Sequence, residues 1–160
     1  MYQKMMLMRV VLLSLAFIAV TGCGSSNPLE SDSNAKGSIA GTIKYIGSLQ
    51  PDGSVNLNLW KDWPTVAAPV VSMPLDAFRS SEDFVLANLA QGSYAALTID
   101  WKPDDGNLPE KVLGVYWANS DSVGSNGSKT LLVTPAMLEI KSENLTLTDV
   151  KVKVDLGLIQ

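Results

Sequence analysis

The sequence predicts an all-β domain, a single sandwich of seven or eight short strands behind a cleaved leader and a polar tether. Three observations carry this. From Gly37 onward, apolar and polar residues alternate with a period of two in run after run. Clusters of Gly, Pro, Asn, Asp and Ser separate the runs, and no stretch has the apolar spacing of an amphipathic helix of useful length.

The chain opens with nine residues, MYQKMMLMR, that hold Lys4 and Arg9 and no acid; the next eleven, VVLLSLAFIAV, are apolar except for Ser14. A basic start before a short apolar core is the make-up of a secretory signal. The run falls short of the roughly 20 apolar residues that cross a bilayer. Met1, Met5, Met6 and Met8 leave the start codon open, because initiation at Met8 keeps Arg9 and the whole apolar core.

Val20-Thr21-Gly22-Cys23 comes next, with the only cysteine of the chain. Small residues suit a peptidase cleft. An odd cysteine in an exported chain calls for a special explanation, and a lone thiol at that spot is a natural acceptor for a lipid thioether. The four residues resemble the lipobox of bacterial lipoproteins. That resemblance implies cleavage after residue 22, lipidation of Cys23 with palmitate among its acyl chains, and a cell-envelope location. Gly24 in the following position favours the outer membrane over the inner one. Each buried methylene contributes about 0.8 kcal/mol and two chains suffice for stable anchoring, so the membrane is the expected partner through Cys23.

Losing residues 1–22 removes two of 12 bases and no acid, leaving 10 against 16 and a net charge of −6. That balance argues against nucleic acid, whose binders cluster Lys and Arg against phosphates. It also supplies no polybasic second membrane signal. No cysteine remains for a disulfide, so a hydrophobic core must hold the fold. Residues 24–36, GSSNPLESDSNAK, contain one Leu and cannot bury enough apolar area to order themselves. The expected organisation is a leader over 1–22, lipidated Cys23 and a disordered tether over 23–36, and one β domain over 37–160.

Within the domain, SIAGTIKYI places Ile39, Gly41, Ile43 and Tyr45 on one face, and SVNLNLW places Val55, Leu57 and Leu59 opposite Asn56, Asn58 and Trp60. The Pro51-Asp52-Gly53 turn between them is a hairpin signal. Pro64, Pro69 and Pro74 confine any strand over 70–75 to a short or edge piece. DFVLANLAQGSYAALTIDW, with a turn at Gln91-Gly92, puts Leu97, Ile99 and Trp101 on one face and Thr98 and Asp100 on the other. VLGVYW, TLLVT, MLEIK and LTLTDVKVKVDL complete the set. In the last, the apolar phase switches between Leu147 and Val150, which predicts a bulge or turn at Thr148-Asp149.

GSIAGTIKY, DFVLANLAQGSYAALTID, LGVYW and LTLTDVKVKVDLG together resemble the transthyretin-like, carboxypeptidase-regulatory-like (prealbumin-like) domains of exported bacterial proteins. The likeness covers most of residues 37–156 and is sharpest from Phe84 to Tyr94, although Ala90 and Gln91 stand where that family often has proline. It implies a Greek-key sandwich, Ig-like in architecture, serving as an accessory, adhesive or ligand-binding module with no catalytic residue.

Histidine is absent and the cysteine is committed to lipid, which removes Ser-His-Asp and Cys-His nucleophilic systems and imidazole ligands for zinc. Ser33-x-x-Lys36 matches a penicillin-binding motif but lies in the tether without its companions. A carboxylate-based hydrolase would need facing acids, and Asp104 and Asp105 are sequence neighbours.

Two binding readings stand beside a plain structural or interaction module. Asp100, Asp104, Asp105, Asn107 and Glu110 put five oxygen ligands near the Gly106 turn, the chemistry calcium uses; the same residues also serve as ordinary turn formers. Trp60 and Trp63 beside Asn56 and Asn58 would give a sugar ring an indole to stack on and amides for its hydroxyls. The same indole would otherwise cover the outer sheet face. The expected function is therefore a lipid-anchored envelope module, non-catalytic, with an envelope protein or glycan as partner and calcium as its only candidate cofactor.

Overall fold

The computed structural model describes residues 34–47, 52–77, 79–119, 122–124 and 134–159. The leader, Cys23, nearly all of the tether and most of the TLLVT run lie outside them.

Among the described residues nine strands form: β1 (Gly37–Ile46), β2 (Ser54–Trp60), β3 (Val71–Pro74), β4 (Ser81–Leu89), β5 (Gly92–Tyr94), β6 (Ala96–Lys102), β7 (Lys111–Val115), β8 (Leu138–Ile140) and β9 (Thr146–Asp155). A 3-10 turn, Leu156–Ile159, follows β9, and no α-helix occurs among the described residues. The strands make three sheets, ordered β4-β1-β9, β3-β2-β6-β7 and β5-β8. β1 runs antiparallel to β4 and parallel to β9. The alternation set out above puts one apolar row of each strand inward. Ile39, Ile43, Phe84 and Val152 of the first sheet meet Leu57, Leu59, Ile99 and Trp101 of the second and Tyr94 of the third in one core. Trp117 is half-buried, and its indole donates to Gly124 O at 3.1 Å.

The expected hairpin at Asp52-Gly53 and the turn at Gln91-Gly92 are both crossings between sheets. β1 pairs with β4 and β9, while β2 pairs with β3 and β6, so Asp52-Gly53 turns the chain from one sheet into the other. A turn signal specifies reversal of the chain and not whether the next strand lies beside the last or across the core. At Gln91-Gly92, β4 and β6 likewise belong to different sheets, with β5 between them pairing β8. Tyr94, fully buried, holds this crossing by donating its hydroxyl to Ala90 O at 2.6 Å.

The phase switch near the end of the chain is a bulge. Pairing of β1 with β9 jumps from Ile39↔Leu147 to Gly41↔Val150, and Asp149 sits at φ 60. β4 does the same on the other side of β1, jumping from Gly37↔Leu89 to Ile39↔Leu86 with Asn88 at φ 59. Asn and Asp tolerate that left-handed conformation better than other side chains. Two bulges thus flank one stretch of β1, and they press the backbone of β9 against Gly41, where a Cβ would run into Val150 O. β3, broken by prolines, is a four-residue edge strand.

Candidate functional site

The second sheet is filled on both faces. Inward lie Leu57, Leu59, Leu97 and Ile99; outward lie Ala96, Thr98, Val112 and Val115, none more than 1% exposed. Among these outward residues is a polar group. Asn58 and Thr98 are cross-strand partners. Asn58 Nδ2 donates to Asp100 Oδ2 at 2.7 Å, Thr98 Oγ1 donates to the same oxygen at 3.1 Å, and Trp60 Nε1 donates to Thr98 Oγ1 at 2.8 Å. The relay Trp60–Thr98–Asp100 stabilises a carboxylate that is 4% exposed, with donors in place of water.

In this arrangement Trp60 and Asn58, expected to form a sugar platform, are 6% and 7% exposed, and their side chains bond Thr98 and Asp100. Asn56 and Trp63 are half-buried. Alternation alone makes the polar phase of the strand a wet face, but the chain covers that face too. Thr98 is the residue that sequence reasoning missed; its only signal was sharing a phase with Asp100.

The five proposed calcium ligands are not brought together as one site. Asp100 belongs to the buried relay, whereas Asp104, Asp105, Asn107 and Glu110 are exposed in the loop between β6 and β7. There Asp105 Oδ1 accepts the Asn107 backbone N–H at 2.9 Å and its side-chain amide at 2.8 Å, and Leu108 N–H donates to Asp105 O at 3.1 Å. These bonds belong to a turn stabilising its own backbone. Among the described residues no group of three or more Asp, Glu, His or Cys could hold a metal ion.

The loop from Lys61 to Val70 contains a cavity. Val70 N–H donates to Leu59 O at 2.7 Å and closes its base. The space, about 190 Å³, is lined by Trp60, Lys61, Asp62, Val66, Ala67, Ala68 and Val70. It is smaller than the few hundred Å³ usual for a small-molecule site. Lys61 Nζ turns back to the body, 3.0 Å from Ser93 O and 3.8 Å above the Tyr94 ring.

The buried phenols are proton donors. Burial, then the Glu82 carboxylate that accepts from Tyr45 Oη at 3.3 Å, holds the Tyr45 pKa far above the usual phenol range. Burial also raises that of Tyr94. No family model, curated protein or solved structure matches the chain.

Proposed function

We propose that the chain is a bacterial envelope lipoprotein, anchored through acylated Cys23, whose β domain works as a non-catalytic structural or interaction module. The observation that carries the reading is the Val20–Cys23 motif directly behind a basic start and a short apolar run. The absence of histidine and the commitment of the one cysteine support a role without covalent chemistry.

The domain itself is read as a Greek-key, transthyretin-like sandwich. Three sheets sharing one core, the smallest of them the β5-β8 pair, support this, as does the Tyr94 hydroxyl bonded four residues back at a sheet crossing, the device called a tyrosine corner. Its partner is an envelope protein or glycan, and the outer membrane is the favoured site. Labelling cells with an alkyne-bearing palmitate tests the anchor. The label is expected on the wild-type protein in the membrane fraction and lost in Cys23→Ser; label that persists in Cys23→Ser sinks the reading.

A further inference from the structure

The loop between β2 and β3 has no part in the reading above, yet it exposes apolar residues to solvent. From Trp63 to Leu75 thirteen consecutive residues, WPTVAAPVVSMPL, carry no charge. In a chain with 18% charged residues, two or so would be expected there. Val66 is 85% exposed and Val70 46%, with Ala67 and Ala68 also exposed. A cavity of about 190 Å³ lies beneath them, lined also by Trp60, Lys61 and Asp62. The Lys61 ammonium is held toward Ser93 and the Tyr94 ring. The bond from Val70 to Leu59 fixes the base, so the tip is a protrusion of set shape. Half-buried Trp63 stands at its shoulder, and indoles favour membrane–water interfaces.

We infer that this tip, residues 64–70, contacts the interfacial zone of the bilayer to which the protein is anchored. The inference rests on the lipid at Cys23. Thirteen residues separate that cysteine from Gly37, and a chain of that length spans about 20 Å on average. On that reading a short flexible linker would hold the domain beside the membrane at an effective concentration of millimolar order, where even a weak apolar contact is occupied. The acidic body, at net −6 for the mature chain, is repelled by anionic headgroups, which leaves an uncharged protrusion as the favoured point of approach. A protein partner would more often be met by charged groups around an apolar centre; from Trp63 to Leu75 the segment carries none, Thr65 being the one polar side chain of the tip, and Lys61 and Asp62 stand at its base.

The test uses Val66→Cys carrying an environment-sensitive fluorophore; acylation blocks Cys23, so the new thiol is the only one. The acylated protein is reconstituted into phosphatidylethanolamine and phosphatidylglycerol vesicles containing a spin-labelled lipid. Quenching at least twofold greater than that of the same probe at Val85→Cys, 62% exposed on the first sheet, is expected. Adding Ala67→Asp should abolish the difference. Equal quenching at the two positions overturns the inference, including the case in which the tip docks a protein.

A second arm adds unacylated Cys23→Ser protein with the Val66 probe to the same vesicles, where quenching should build only at high lipid concentration. Wild-type protein that fails to float with vesicles refutes the anchor alone. Quenching of the unanchored chain still decides the loop, and its absence at every lipid concentration overturns the inference.

Discussion

Replacing Thr98 by valine isolates the buried relay, because the side chain keeps its shape and loses only its hydroxyl. That hydroxyl accepts from Trp60 at 2.8 Å and donates to Asp100 at 3.1 Å, and the residue is 1% exposed. A neutral hydrogen bond is worth about 1 kcal/mol net, and one to a charged group about 1.5–3 kcal/mol. The two together make an expected loss of about 3 kcal/mol, a large share of the 5–15 kcal/mol that stabilises a typical domain. With a urea slope of about 2 kcal/mol per molar, the midpoint should fall by about 1.5 M at unchanged slope. Thr98→Ser keeps the hydroxyl and gives up one methyl group, so it should cost only about 1 kcal/mol. Equilibrium urea unfolding of both variants, followed by tryptophan fluorescence and circular dichroism, makes the comparison. A loss below about 1 kcal/mol in Thr98→Val, or equal losses in the two variants, would refute the claim that the hydroxyl stabilises the buried carboxylate.

The bulges predict that Gly41→Ala destabilises by about 1–3 kcal/mol, because the new Cβ must push β9 off Val150 O; a Tm unchanged in calorimetry would contradict the close approach. High pH gives the third prediction. An unfolded phenol ionises near pH 10, whereas Tyr45 keeps its proton well above that in the fold and the Tyr94 pKa is raised by burial. Above pH 10 the unfolded state therefore binds fewer protons than the native one, and stability should fall by up to about 1.4 kcal/mol per pH unit through Tyr45, with Tyr94 contributing in the same direction. Tyr45→Phe removes one of the two, so its urea midpoint should fall less steeply from pH 9 to 11.5. Parallel declines would show that Tyr45 titrates normally.

Local pattern and long-range pairing were unequally legible in the sequence. The bulge at Thr148-Asp149 could be read because an odd insertion flips the apolar phase within one strand, and the prolines around β3 announced an edge because proline removes ladder donors. The crossings at Asp52-Gly53 and Gln91-Gly92 could not be read, since turn chemistry is the same whether the chain returns beside itself or passes over a core. Burial of the second face of β2 and β6 was hidden for another reason. Alternation of Asn58, Trp60, Thr98 and Asp100 with aliphatic residues describes a half-wet sheet equally well as one covered by loops. That ambiguity governed the site, because the indole expected to meet a ligand was already bonded to Thr98. In the acidic loop the oxygen count was right for an ion, but Asp105 and Asn107 bond one another and Asp100 lies inside the sheet.

The parallel pairing of β1 with β9 has a consequence in time. Ser38 and Thr146 meet across 108 positions of sequence, and contacts of such separation form late because loop closure must precede them. Until β9 is free, β1 has only β4 beside it, and Val150, Val152 and Val154 are missing from the core. A chain still emerging from a ribosome therefore holds an unfinished sheet and remains loose enough to be threaded. Closure waits for the last strand, so β9 must be released before the first sheet and its share of the core can be completed.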